Sequence, residues 1–208
     1  MSVVRDLRFI SRIALEFWNG LHFKRNSKPG VTVFGSARIP PSHPYCMEAK
    51  ELGFELAKLG FSVSTGGGGA IMQAANEGAH DAGGESLGIN IEIERESSLN
   101  PFVTHGIKSR YFFVRKVLLS RGSHAFVVFP GGFGTLDELF EVITLIQTQK
   151  ANECPVILVD SQFWSGLLKW CAGTLVPNGM ITESELARLK VVNTAKEALA
   201  YLTPLLPR

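Results

Sequence analysis

The stretch HAFVVFPGGFGTLDE, residues 124–138, decides the fold. Its first six residues form an apolar run with no polar alternation, which is what a strand covered by helices on both faces requires. Three glycines then fall in four positions (Gly131, Gly132 and Gly134), followed by Thr135 and two carboxylates, Asp137 and Glu138. Glycines after a strand let backbone N–H groups approach an anion closely. The next helix offers its unbonded N–H groups and the positive end of its dipole. Thr135-x-x-Glu138 also has the spacing of a capping box. Thr194 and Glu197 share that spacing before the last helix, without any glycine preamble. Capping therefore accounts for the threonine and the glutamate, and a phosphate cradle for the three glycines.

Outward from this junction the chain alternates. Short apolar runs at 31–36, 61–65, 85–91, 124–129 and 154–159 are expected as strands. Helical periodicity is expected at 45–59, 70–82, 110–121 and 135–150, then near 162–173, with a last helix entered through TAKE. The segment 92–108 reads as a loop with a possible short strand at FVTHG. Unalternated strands separated by helices predict an α/β fold: a doubly wound parallel sheet between two helical layers. In such sheets ligands sit in the crevice beyond the carboxyl ends of the strands. Four of those ends carry unusual chemistry here: GSAR (35–38), TGGGGA (65–70), GINIE (88–92) and PGGFGT (130–135).

Composition narrows the class. With 208 residues, 45% apolar and 19% charged, the chain reads as one globular domain. A net charge of +2 gives no global case for nucleic acid or a membrane surface as partner. Three scattered cysteines, without a C-x-x-C pair, suggest reduced thiols in a cytoplasmic protein. Five dispersed histidines give no metal spacing. Residues 1–28 are expected as an amphipathic helix and linker ahead of a domain over 29–208; Leu7, Ile10, Ala14, Phe17, Trp18 and Leu21 at helical spacing suit packing on the domain or a partner subunit, with a targeting or membrane-surface element as the alternative.

The remaining strand ends admit two readings each. Gly66 to Gly69 are either a tight turn or a place where a helix start meets a ligand; Gly67 and Gly68 are candidates for contact. The spacing is neither a dinucleotide fingerprint nor a Walker A loop. Gly35 and Ser36 either turn the chain or face the same crevice, and Arg38 has the weaker claim. No acidic residue occurs between Ser97 and Leu136, a window that holds Lys108, Arg110, Arg115, Lys116 and Arg121. A basic helix face is commonly only solvated, but Val114, Val117 and Leu118 put Arg115 near the buried edge. Asp137, Glu138 and Glu141 suit a helix start by charge alone. A carboxylate one turn from a bound phosphate would also reach the ribose of a nucleoside monophosphate.

FPGGFGTLDE resembles the PGGxGTxxE signature of the LOG ("Lonely Guy") family, long described as possible lysine decarboxylases. The resemblance runs from about Val31 to Val159 and takes in GSAR, TGGGGAIMQAAN and FFVRK, the last similar to the family's MHxRK element. It implies a Rossmann-like phosphoribohydrolase, without cofactor or metal, that releases the base from AMP or N6-modified AMP, cytokinin nucleotides included. By resemblance Arg115 and Glu138 take the catalytic positions. Gly131, Gly132, Gly134 and Thr135 take those that hold phosphate, and Lys116 is a further candidate for substrate binding. The family implies a homodimer or larger homo-oligomer. Phe112 and Phe113 stand where many members have Met-His, which bears on the choice of base. A lysine in a pyridoxal-phosphate context is not identifiable. Related Rossmann-like proteins that only bind nucleotides or carry molybdenum cofactor supply the alternative class.

Overall fold

The computed structural model describes residues 3–92 and 98–206. The chain runs α1 (Val3–Arg25), β1 (Gly30–Phe34), α2 (Pro44–Lys58), β2 (Ser62–Thr65), α3 (Ile71–Asp81) and β3 (Ser86–Ile91). It continues through β4 (His105–Ser109), α4 (Phe112–Ser120), β5 (Ser123–Val128), α5 (Phe133–Gln147) and β6 (Val156–Val159). The last part is α6 (Ser161–Trp170) with a π-helical turn, α7 (Glu183–Leu186), β7 (Leu189–Val192) and α8 (Ala195–Leu202). The strands form one seven-stranded sheet in the order β4-β3-β2-β1-β5-β6-β7, and every neighbouring pair is parallel.

Every residue of β1, β2, β3 and β6 is buried, because helices cover both faces of the sheet. One apolar cluster joins the sheet to α2, α3 and α8 through residues such as Leu52, Ile71 and Leu202. The other joins it to α1, α4, α5 and α6 through residues such as Leu118, Leu139 and Trp164. The result is the three-layer, doubly wound arrangement expected from the strand pattern.

Several details differ from expectation. The edge strand β4 lies at 105–109, three residues beyond FVTHG's start, and pairs with β3 from Leu87 to Ile91. Part of the expected loop, residues 93–97, lies outside the described residues. Strand β7 was not expected: LKVV carries a lysine and spans four residues, with two of them only half-buried. Helix α1 packs through Ile13, Phe17 and Leu21. Leu7, Ile10 and Trp18 of the expected stripe are instead 61%, 59% and 72% exposed. Gly20 allows this packing, since a Cβ there would collide with the Leu118 side chain of α4.

Candidate functional site

The strand order reverses between β1 and β5, so the chain leaves these two neighbours in opposite directions and opens a crevice. Backbone bonds tie the loops around it. The Ser36 N–H donates to the Pro130 carbonyl at 3.1 Å, and the Ile71 N–H donates to the Ser36 carbonyl at 3.2 Å. One residue thus joins the loops after β1, β2 and β5. A cavity of about 550 Å³ lies at this junction, a volume suited to a small ligand. Gly35 to Arg38 form one wall, Gly66 and Met72 another, and Phe112 and Arg115 of α4 a third. The start of α5 closes it with Gly132, Phe133, Gly134, Thr135 and Glu138.

The start of α5 corrects one sequence reading. The helix begins at Phe133 with Gly132 as its N-cap, and no side chain caps it. Thr135 therefore sits within the first turn, and the box with Glu138 does not form. Its N–H donates to the Gly132 carbonyl at 3.0 Å. The helix start was displaced two residues by the glycines, whose missing side chains leave the first N–H groups open to the cavity. A complete capping box occurs elsewhere, at Thr182 and Glu185. At the second expected box Thr194 accepts from the Glu197 N–H, but Glu197 reaches the N–H of Asn193 instead. Gly131 is packed tightly: a Cβ there would collide with the Thr135 hydroxyl and press on the Ser36 N–H. A Cβ on Gly132 or Gly134 would meet nothing within 4 Å, so those two leave room for a ligand.

Arg115 and Glu138 meet at the cavity's inner wall. Arg115 donates from Nε to the Ile89 carbonyl at 2.9 Å and from a terminal nitrogen to Glu138 Oε1 at 3.1 Å. Their side chains are 13% and 10% exposed. Burial pushes the Glu138 carboxyl up to about 7, and the positive charges of Arg115 and Lys116 only partly oppose it. A carboxyl poised near neutrality and facing a cavity is suited to proton transfer or to offsetting positive charge.

The other singled-out residues lie differently. Gly67 and Gly68 are beneath the cavity wall rather than on it; the carbonyl of Gly67 accepts the Asn100 N–H, and that of Gly68 accepts Asn100 Nδ2. Asn100 and Thr65 both bond to Asn76 Oδ1, a buried network that fixes this turn. Gly66, one residue earlier, is the glycine that lines the cavity; a Cβ on it would collide with the Arg115 guanidinium. Lys116 does not line the cavity; its ammonium pairs with Asp137 at 2.9 Å and Glu141 at 2.7 Å beside Glu138. Gly35 and Ser36 line the cavity, as does Arg38. Phe133 escaped the sequence reading, although a large apolar residue between glycines was a signal; it is 90% exposed at the cavity mouth. Among the described residues no group of three or more His, Cys, Asp or Glu is placed to hold a metal ion.

Residues 72–202 match the family model described as "Possible lysine decarboxylase", the LOG family. The chain belongs to this family. A LOG-family relative from Mycobacterium tuberculosis, named cytokinin riboside 5'-monophosphate phosphoribohydrolase, is 32% identical over 173 residues, covering 79% of this chain and 89% of the relative. LOG3 of Arabidopsis thaliana, with the same activity in its name, is 27% identical over 179 residues, covering 85% of this chain and 83% of that protein. Among solved structures, the molybdenum cofactor binding protein of Rippkaea orientalis shares the fold, with a TM-score of 0.65 at 21% identity over 86% of this chain and 98% of that one. The relatives place the chain with LOG-family hydrolases, and the solved structure speaks to the fold.

Proposed function

We propose that the protein hydrolyses the N-glycosidic bond of purine nucleoside 5'-monophosphates, AMP or N6-modified AMP such as cytokinin nucleotides, to free base and ribose 5-phosphate. The observation that carries this reading is the Glu138 carboxyl, buried against Arg115 and one helical turn beyond a glycine-lined helix start. Phosphate binds at that start, held by backbone N–H groups and the Thr135 hydroxyl, with Gly132 and Gly134 leaving it space. Gly35 and Ser36 contact it from the facing loop. The ribose then extends over Glu138. As the bond from C1′ to the base nitrogen breaks, its electron pair leaves with the base. Ionised Glu138 offsets the positive charge growing at C1′ or bonds to that carbon, and water finally supplies the hydroxyl to C1′ and a proton to the base. Arg115 orients the carboxylate and favours its charged form.

Phe112 and Phe133 border the open end of the cavity, where the base is received. The reading needs no metal or cofactor. Free thiols at Cys46, Cys154 and Cys171 fit a reducing, cytoplasmic setting. A homodimer or larger assembly of copies is part of it, supported by the exposed Leu7, Ile10 and Trp18 of α1. Residues 29–208 act as the catalytic domain and 1–28 as its appendage.

The test is to incubate the protein with AMP and with N6-isopentenyl-AMP across pH and to separate the products by chromatography. Base release is expected from at least one, falling on the acid side with a midpoint of about 7 as Glu138 is protonated. Nucleotide binding without base release at any pH would favour a non-catalytic binding or carrier protein, as the name of the Rippkaea orientalis neighbour describes that protein.

A further inference from the structure

Helix α4 carries Phe112 and Arg115 into the cavity, yet it starts without local support. Its N-cap, Tyr111, makes no side-chain cap bond, and no acidic residue lies in its first turn. A helix start ordinarily gains from a nearby negative charge and from acceptors for its free N–H groups. That charge arrives from α1. Glu16 Oε1 accepts the backbone N–H of Arg110 at 3.0 Å and that of Tyr111 at 3.4 Å, the two residues joining β4 to α4. Aromatic contacts secure the same junction: Phe9 meets Tyr111 edge-on at 5.5 Å, and Phe17 lies 6.4 Å from Phe113. One turn on, the Arg115 N–H donates to the Tyr111 carbonyl at 3.1 Å. The residue Glu16 grips is therefore the one from which the Arg115 turn is built.

We infer that Glu16 is a positioning residue for the site: it pins the start of α4 and so sets where Arg115 meets Glu138. The inference rests on the hydrolase reading for its effect on turnover but not for its effect on α4. Without the pin, the turn that carries Arg115 loosens and its contact with Glu138 lengthens, even with the Nε bond to the Ile89 carbonyl kept. The groups facing Glu138 are Arg115 and Lys116 from α4 and Asp137 and Glu141 from its own helix. Arg38 lines the same cavity. Retreat of the nearest cation leaves two carboxylates, Lys116 and the more distant Arg38, and Glu138 then protonates more readily.

The experiment compares wild type, Glu16→Ala and Glu16→Gln in the full chain. Glutamine keeps a carbonyl that accepts the same two N–H groups, so it separates the pin from mere removal of a side chain. Hydrogen exchange of the 110–116 amides should quicken in Glu16→Ala and quicken much less in Glu16→Gln, which keeps the acceptor but not the charge, with residues 133–147 unchanged in both. With AMP, Glu16→Ala should lose roughly tenfold or more in kcat, as a displaced catalytic group commonly costs. Its acid limb should move to higher pH, with Glu16→Gln largely restored. Unchanged exchange at 110–116 and an unmoved acid limb in Glu16→Ala would overturn the inference. If wild type releases no base, the hydrolase reading fails on its own, and the exchange comparison still decides whether Glu16 pins α4.

Discussion

Replacing Glu138 with glutamine should separate what the carboxylate does for chemistry from what it costs the fold. The folded-state value of about 7 lies above the ordinary 4.5, with burial as the main cause. For an acid so raised, the fold is favoured while the group is protonated, and that advantage is lost as pH rises through about 7. The full shift corresponds to about 3 kcal/mol, and the part developing between about pH 5 and about pH 8 to roughly 2 kcal/mol. Glutamine has nearly the same shape, still accepts from Arg115, and does not ionise. Glu138→Gln should therefore gain on wild type by roughly 2 kcal/mol between those pH values, or about 4–8 °C in Tm for a chain of this size. Thermal unfolding of both proteins at several pH values measures this, alongside base release from AMP, which should nearly vanish in the variant. The opposite slope, with the variant losing ground as pH rises, would falsify the argument: it would mean that the pairing with Arg115 outweighs burial and that Glu138 is ionised well below neutrality.

Two further outcomes follow from the same physics. Burial lowers Lys24 to about 8, and its ammonium donates to Ser64 Oγ at 3.1 Å. The charged form thus penalises the fold below about pH 8 and the penalty fades above it, so Lys24→Met should stabilise the protein by about 2 kcal/mol near pH 7 and by less at higher pH, read by denaturant unfolding. Gly131→Ala and Gly132→Ala should behave differently: the first meets Thr135 and Ser36 and should lower Tm by several degrees, roughly 1–3 kcal/mol. The second meets only open space and, as the N-cap, should lower stability by only about 0.5 kcal/mol while weakening AMP binding measured by calorimetry.

Sequence made the sheet legible because four strands are buried throughout and β5 over its last four residues, so they show nearly unbroken apolar runs. It missed β7, an edge strand whose lysine interrupts the run. The glycines at 131, 132 and 134 pointed to the cavity, and Arg115 was recognisable from the apolar residues around it. The helix start was misread because Thr135-x-x-Glu138 satisfies a local rule that the glycines override by starting α5 two residues earlier. The packed side of α1 was ambiguous for a different reason. Apolar residues occur all round that helix, and the buried side is the one where Gly20 fits against Leu118 and Ile13, Phe17 and Leu21 meet the core. Glu16 gave no signal at all, since its partners at Arg110 and Tyr111 are remote in the chain.

The reversal of strand order beside β1 also governs when the site comes into being. During synthesis β1, β2 and β3 leave the ribosome early, whereas β5 at 123–128 and the glycines after it follow much later. The central strand must wait, one edge unpaired, for a neighbour of high sequence separation, a slow step in folding. Until it arrives the Ser36 N–H has no Pro130 carbonyl to bond and Arg115 no carboxylate to face. Half-made chains therefore lack the closed cavity, and a small ligand of that cavity added during refolding would reward only molecules that have already closed the sheet.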